Sequence, residues 1–163
     1  MSHHAISLRG LLEEAYRTTA WHGPNLKAAL RGVSLRHAIW RPRPGRPCVW
    51  GLLLHCAFWK HRVRMRILDA DEPFARAGAN FPHLPSQTDA KHWRADVRLL
   101  DREHAALLDV LEALPPRALD RPSRGHRQTP REMLVGIALH DTYHAGQIRA
   151  LRKLAEARVL RAR

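Results

Sequence analysis

Thr129-Pro130-Arg131-Glu132-Met133-Leu134-Val135-Gly136-Ile137-Ala138-Leu139-His140-Asp141-Thr142-Tyr143-His144-Ala145-Gly146-Gln147-Ile148 is the stretch that decides the fold. It opens with threonine where a helix cap belongs, proline at the first helical position and glutamate three residues after the cap. That is a capping box with its favoured proline. Met133, Ile137, His140, His144, Ile148 and Leu151 then recur at spacings of three and four, the apolar stripe of a helix. The pattern predicts a helix from Thr129 to about Val159. Arg149, Arg152, Lys153 and Arg158 lie toward its C-terminal end, where the helix dipole favours cations.

Working back along the chain, two more long helices are predicted. Trp93, Val97, Leu100, His104, Leu107, Leu111 and Leu114 form a heptad-like stripe within residues 88–114, which Pro115-Pro116 ends. Residues 117–128 then read as an Arg-rich loop containing Gly125. Leu52, His55, Cys56, Trp59 and Val63 share one face of a helix over residues 48–68. The stretch after it carries Pro73, Gly78, Pro82 and Pro85 and reads as an irregular loop. Upstream, a helical pattern runs from Ser7 to Gly32 with a break expected at Gly23-Pro24. Ser34 to Arg41 allows one further turn before the extended loop Arg41-Pro-Arg-Pro-Gly-Arg-Pro47. Sustained apolar alternation and Asn-Gly hairpin turns are missing. Four striped helices without strands predict an all-α fold, a four-helix bundle, formed as a single domain over residues 1–163.

Length and composition agree. The chain has 163 residues and 45% apolar content, enough for one core. Runs free of charge are too short and too interrupted to span a bilayer, and the opening Met-Ser-His-His does not resemble a signal peptide. Two cysteines, Cys48 and Cys56, make no disulfide framework, so a cytoplasmic location is expected. The net charge of +13 is less ordinary. No acid occurs between Glu14 and Asp69, a stretch holding 11 basic residues from Arg17 to Arg66. Such a segment suits an anionic partner, while a solvated basic surface explains it slightly better.

Histidine is abundant, with twelve residues. His3, His4, His83 and His126 read as loop or surface residues. His140 and His144 differ. They are four apart, so they project from one helix face, and they interrupt an apolar stripe. Burying two imidazoles costs free energy unless something compensates, and a divalent metal does so. His55, on the apolar face of its own helix, offers a third nitrogen. Three ligands leave coordination positions open, as in catalytic metal sites, and an uncharged ligand set favours an anionic co-ligand. His104 competes for inclusion, as a fourth ligand, as a supporting group or as an ordinary core histidine. Cys56 adjoins His55, but successive helical residues diverge by about 100°, so Cys56 reads as core.

Three segments carry a resemblance: Trp21-His-Gly-Pro-Asn-Leu26, Trp50-Gly-Leu-Leu-Leu-His-Cys-Ala-Phe-Trp-Lys60 and His140-Asp-Thr-Tyr-His-Ala-Gly-Gln-Ile148. In this order they resemble the DinB-like family, within the DinB/YfiT-like group of metalloenzymes, over residues 7–155. The resemblance implies a four-helix bundle and a divalent metal, whether zinc, nickel, iron or manganese, held by His55, His140 and His144. It implies a homodimer too. Relatives include transferases that use low-molecular-weight thiols such as bacillithiol and mycothiol. Where relatives often start the second helix with serine or threonine, this chain has Cys48, a weaker cap.

Three functions follow as expectations. The first is a metal-dependent S-transferase joining a low-molecular-weight thiol to a small electrophile, with the Arg41–Arg66 segment holding thiol carboxylates. The second is a metal-dependent hydrolase, weakened because Asp141 and Tyr143 flank the histidine face and no other acid adjoins it. The third is a non-enzymatic basic binding protein. The chain lacks a nucleic-acid-binding signature, which disfavours a nucleic-acid partner.

Overall fold

A computed structural model describes residues 7–122 and 125–161, with the side chains of residues 159–161 outside the description. His3 and His4 therefore lie outside the described residues. Three long helices dominate: α4 (Val49–Leu68), α5 (Ala90–Ala113) and α6 (Pro130–Arg161). Three short ones precede them: α1 (Leu8–Tyr16), α2 (Leu26–Leu30) and α3 (Leu35–Ile39). No strand occurs among the described residues. No helix there is long and apolar enough to cross a membrane.

The capping box at α6 forms as its sequence dictates. The Thr129 backbone N–H donates to the Glu132 carboxylate at 2.8 Å, and the Glu132 N–H donates back to Thr129 Oγ1 at 3.2 Å. Cys48 caps α4, its sulfur accepting from the Gly51 N–H at 3.4 Å, where a serine oxygen would bind more strongly. Asp89 caps α5 through the His92 N–H at 2.8 Å.

The single interrupted helix expected over residues 7–32 is corrected to two short helices. The Arg17 and Thr18 N–H groups both turn back to the Glu13 carbonyl, which closes α1. Gly23 takes φ of 129°, a conformation only glycine adopts freely. Asn25 then caps α2 by accepting from the Ala28 N–H at 2.9 Å, while its amide holds the Thr18 carbonyl.

Side-chain pairs set the helix directions. Trp50 bonds Asp96, and Lys60 meets His104, so α4 and α5 run the same way. Val63 and Ile67 of α4 pack with Met133, Leu134 and Ile137 near the start of α6. Ala145 and Ile148, further along α6, pack with the start of α4, so these two are antiparallel. Arg9 pairs with Glu112 and Tyr16 with Asp101, which sets α1 against α5. Parallel neighbours need a crossover along a helix about 30 Å long. Residues 69–89 provide it. Arg76 anchors this crossover on the buried Asp96 carboxylate, at 3.0 and 2.6 Å. Asp96 also accepts from Trp50 Nε1 at 2.9 Å.

The one-sided stripe expected for α4 is corrected as well. Val49 through Phe58 contain only one residue, Gly51, that is not buried. Helices α3, α5 and α6 and the crossover cover α4 on several sides, so it is the central helix. The α5 stripe holds: Leu100, His104 and Leu107 are buried, and Trp93, Val97, Leu111 and Leu114 are partly so.

His104 lies in this core in the field of Lys60, Arg17 and Arg9. Its ring stacks on Tyr16 at 3.8 Å, and Lys60 Nζ lies 3.4 Å from its Nδ1. Burial, with the charges of Lys60, Arg17 and Arg9, pushes its pKa down to about 2. The unfolded chain takes up this proton near pH 6.5, whereas the fold resists it until about pH 2. Stability therefore rises with pH across that window and is lost as pH falls below about 6.5. The expected result is that His104→Gln narrows the difference in unfolding free energy between about pH 7 and pH 5 by about 2 kcal/mol. Urea titrations of both proteins at the two pH values check this.

Candidate metal centre

His55 is on α4, and His140 and His144 lie one turn apart on α6, which runs antiparallel beside it. The structure brings all three together. His140 Nε2 lies 3.0 Å from His55 Nε2 and 3.1 Å from His144 Nε2. His55 and His144 are buried and His140 is partly buried.

The outer ring nitrogens decide what those inner nitrogens carry. His55 Nδ1 lies 2.6 Å from the Asn80 backbone oxygen, which only accepts, so Nδ1 holds the proton and Nε2 is bare. His144 Nδ1 lies 2.7 Å from Gln147 Oε1, and the Gln147 amide nitrogen donates to the Tyr143 hydroxyl at 2.8 Å. His144 Nε2 is therefore also bare. His140 Nδ1 is buried without a hydrogen-bond partner. The lone pairs of His55 and His144 thus converge beside His140 Nε2, where a cation can share them.

All three rings are held neutral. Burial keeps His55 and His144 below the usual histidine range. Burial, reinforced by His144, His55 and Lys60, pushes His140 down to about 3. Neutral imidazoles, with the outer protons of His55 and His144 fixed, are suited to zinc, nickel or iron. The donor set fits a divalent metal ion.

A second cluster shares His140. Cys56, His140 and Asp141 offer ligand atoms within 4.8 Å of one another. It suits a metal less well. Asp141 is committed to the Lys60 ammonium, and burial pushes the Cys56 thiol well above its usual range, so it stays protonated. His104 is not part of the triad; it borders Lys60 and Tyr16. Asp141 does lie off the histidine face, as its position on the helix dictates, but it is fully buried in an ion pair. Tyr143 stays exposed beside the site.

The triad opens into a cavity of about 640 Å³ whose walls include Leu52, Trp59, Val63, Phe81, Met133 and Ile137. No carboxylate lines it among the described residues. Phe81 stacks on His55 at 4.2 Å, and Asn80 Oδ1 accepts from Trp59 Nε1 at 2.9 Å. Asn80 itself adopts φ of 61°, which turns its carbonyl and the Phe81 ring onto His55.

Sequence reasoning missed Asn80, Phe81 and Gln147. Gln147 had a signal, since it follows His144 by three residues on the same helix. Asn80 and Phe81 had none, because they reach His55 only through the crossover's path. Gln147→Leu is expected to weaken divalent-metal binding by about 10–100-fold by freeing the His144 ring. Competition against a chromophoric chelator measures it.

The fold and site define a class: an all-helical protein with a buried three-histidine cluster that could hold a metal ion. A family model of the DinB superfamily matches residues 18–148, and the chain belongs to that superfamily. The matched region includes all three histidines. Comparison with curated proteins and with solved structures found no match.

Proposed function

We propose that His55, His140 and His144 hold a divalent metal through their Nε2 atoms, and that the protein transfers a low-molecular-weight thiol to a small electrophile. The observation that carries this reading is the donor set: bare, neutral imidazole nitrogens converging at an open apolar cavity without a carboxylate. When bound, the metal lowers the pKa of a coordinating thiol and leaves it nucleophilic. Asn80 and Gln147 keep the ligand rings in register. Trp59, Met133 and Ile137 exclude water around the sulfur and the electrophile, which favours attack by sulfur over hydrolysis. The sulfur forms a bond to carbon as the carbon–leaving-group bond breaks, and the leaving group departs with its electron pair. The thiol proton leaves to solvent through the open mouth, since no carboxylate lines the cavity among the described residues.

That absence also weighs against hydrolysis, which needs a base to activate water. A reducing cytoplasm suits the reading, since a free thiol must be available. A homodimer accords with Trp21, which is 92% exposed, and with Leu139 and Leu154 exposed on α6. Light scattering that returns one subunit's mass at micromolar concentration would remove the dimer.

The test follows loss of several physiological thiols in the presence of an epoxide or alkyl halide. Metal-loaded protein should consume thiol and chelator-stripped protein should not. Equal rates overturn the transferase. Failure with every thiol, together with metal-dependent ester cleavage, assigns the site to hydrolysis.

A further inference from the structure

Five of the 11 basic residues between Glu14 and Asp69 are paired with acids in the fold. Arg17 pairs with Glu13, Lys27 with Asp101, Lys60 with Asp141, Arg62 with Asp71 and Arg64 with Glu103. The other six make no ion pair among the described residues, and of these Arg66 alone lines the cavity that opens from the histidines. It belongs to the last turn of α4, where helical side chains lean back toward the N-terminus. Its guanidinium carbon accordingly lies 5.7 Å from the centre of the Trp59 ring. The Trp59 ring in turn lies 6.5 Å from His140. The guanidinium and the triad are thus no further apart than these two steps laid end to end.

Between them the wall is apolar: Trp59, Val63, Met133 and Ile137. A cavity with lone-pair donors at its floor, hydrocarbon along its wall and one free guanidinium at its rim selects a ligand by three features. We infer that it takes an amphiphilic carboxylate whose far end carries the metal-seeking atom, with Arg66 as the residue that selects the anion. This rests on the transferase reading above and names the substrate class for it. A guanidinium presents two parallel N–H donors to a carboxylate, a geometry a neutral terminus cannot use. Stacking on Trp59 holds the guanidinium in place without neutralising it.

The neighbouring groove supplies a control. Arg43 and Arg46 line it, and it shares Pro47, Leu52 and Gln147 with the main cavity. Those arginines are alternative anchors on charge alone.

The test titrates cobalt(II)-loaded protein with ω-mercaptooctanoate and with ω-mercaptooctanol. Calorimetry reads affinity, and the thiolate-to-cobalt charge-transfer band reads sulfur ligation. The acid should bind about tenfold more tightly than the alcohol, the value of one charge-assisted contact. Arg66→Gln should remove that preference and leave the alcohol unchanged, while Arg46→Gln should keep it. Equal affinities in the unaltered protein overturn the inference. So does loss of the preference in Arg46→Gln, or an equal weakening of both ligands in Arg66→Gln. The two readings separate cleanly. Acid preference without a charge-transfer band keeps Arg66 as the anion anchor and removes thiol ligation. A band with both thiols and no preference keeps thiol ligation and removes the anchor.

Discussion

Lys60→Met is expected to lower the unfolding free energy by about 3–5 kcal/mol, the largest stability effect of any single substitution near the site. Lys60 is 0% exposed and Asp141 1%, and the ammonium rests directly on Asp141 Oδ2. Nζ also lies over the Tyr16 ring at 4.9 Å and 3.4 Å from His104 Nδ1, so its surroundings supply polarity but no second acid. Asp141 Oδ1 has no hydrogen-bond partner. Removing the ammonium therefore leaves a buried carboxylate with nothing to face. Burial raises the Asp141 pKa while Lys60 pulls it down, so the substitution removes the influence that keeps the acid ionised. The double variant Lys60→Met with Asp141→Leu should regain most of the loss, because the uncompensated charge goes with its partner. Denaturant titrations of the two single variants and the double variant decide this. A Lys60→Met protein as stable as the parent would mean that the pair carries no net energy.

His55→Ala, His140→Ala and His144→Ala are each expected to take metal content from about one ion per chain to near none. Three ligands hold the ion with nothing in reserve, and each supplies an Nε2 that no neighbour replaces. The effect should exceed the about 10–100-fold loss predicted for Gln147→Leu, because a lost ligand costs more than a loosened one. His104→Ala should retain the metal, since its ring stacks on Tyr16 away from the triad. Cys56→Ala should retain it too, which separates the triad from the cluster of Cys56, His140 and Asp141. Elemental analysis of protein purified without a His-tag or nickel column gives the result. Full occupancy in all three triad variants would put the site elsewhere.

Much of this was legible because helices write their faces into spacing. The α6 cap, the α5 stripe and the paired His140 and His144 each depend on residues within a few positions of one another. The third histidine was legible from its own helix alone, as an imidazole on an apolar face. The Ser7–Gly32 pattern was read as too long a helix because local apolar spacing continued past Tyr16. There the Arg17 and Thr18 N–H groups turn back to the Glu13 carbonyl and end α1 before the break expected at Gly23-Pro24. Lys60 gave no sign of burial, since a lysine beside Trp59 reads equally well as a surface residue. Only the approach of Asp141 from α6 makes a buried ammonium tolerable.

Sequence alone determined the helical architecture, the ends of α4, α5 and α6, and the three imidazoles offered from apolar stripes. Periodicity and capping are local, and backbone hydrogen bonding enforces them within one helix. Tertiary structure decided what those elements do to one another. It set α4 parallel to α5 and antiparallel to α6, which brings His55 against His140 and His144. It carried the crossover back so that the Asn80 carbonyl and the Phe81 ring meet His55. It also paired Lys27, Lys60 and Arg64 of the basic stretch with acids from other helices and left Arg66 without an ion pair in the cavity lining. Such pairings join residues tens of positions apart, so their energies depend on distances that no local pattern encodes.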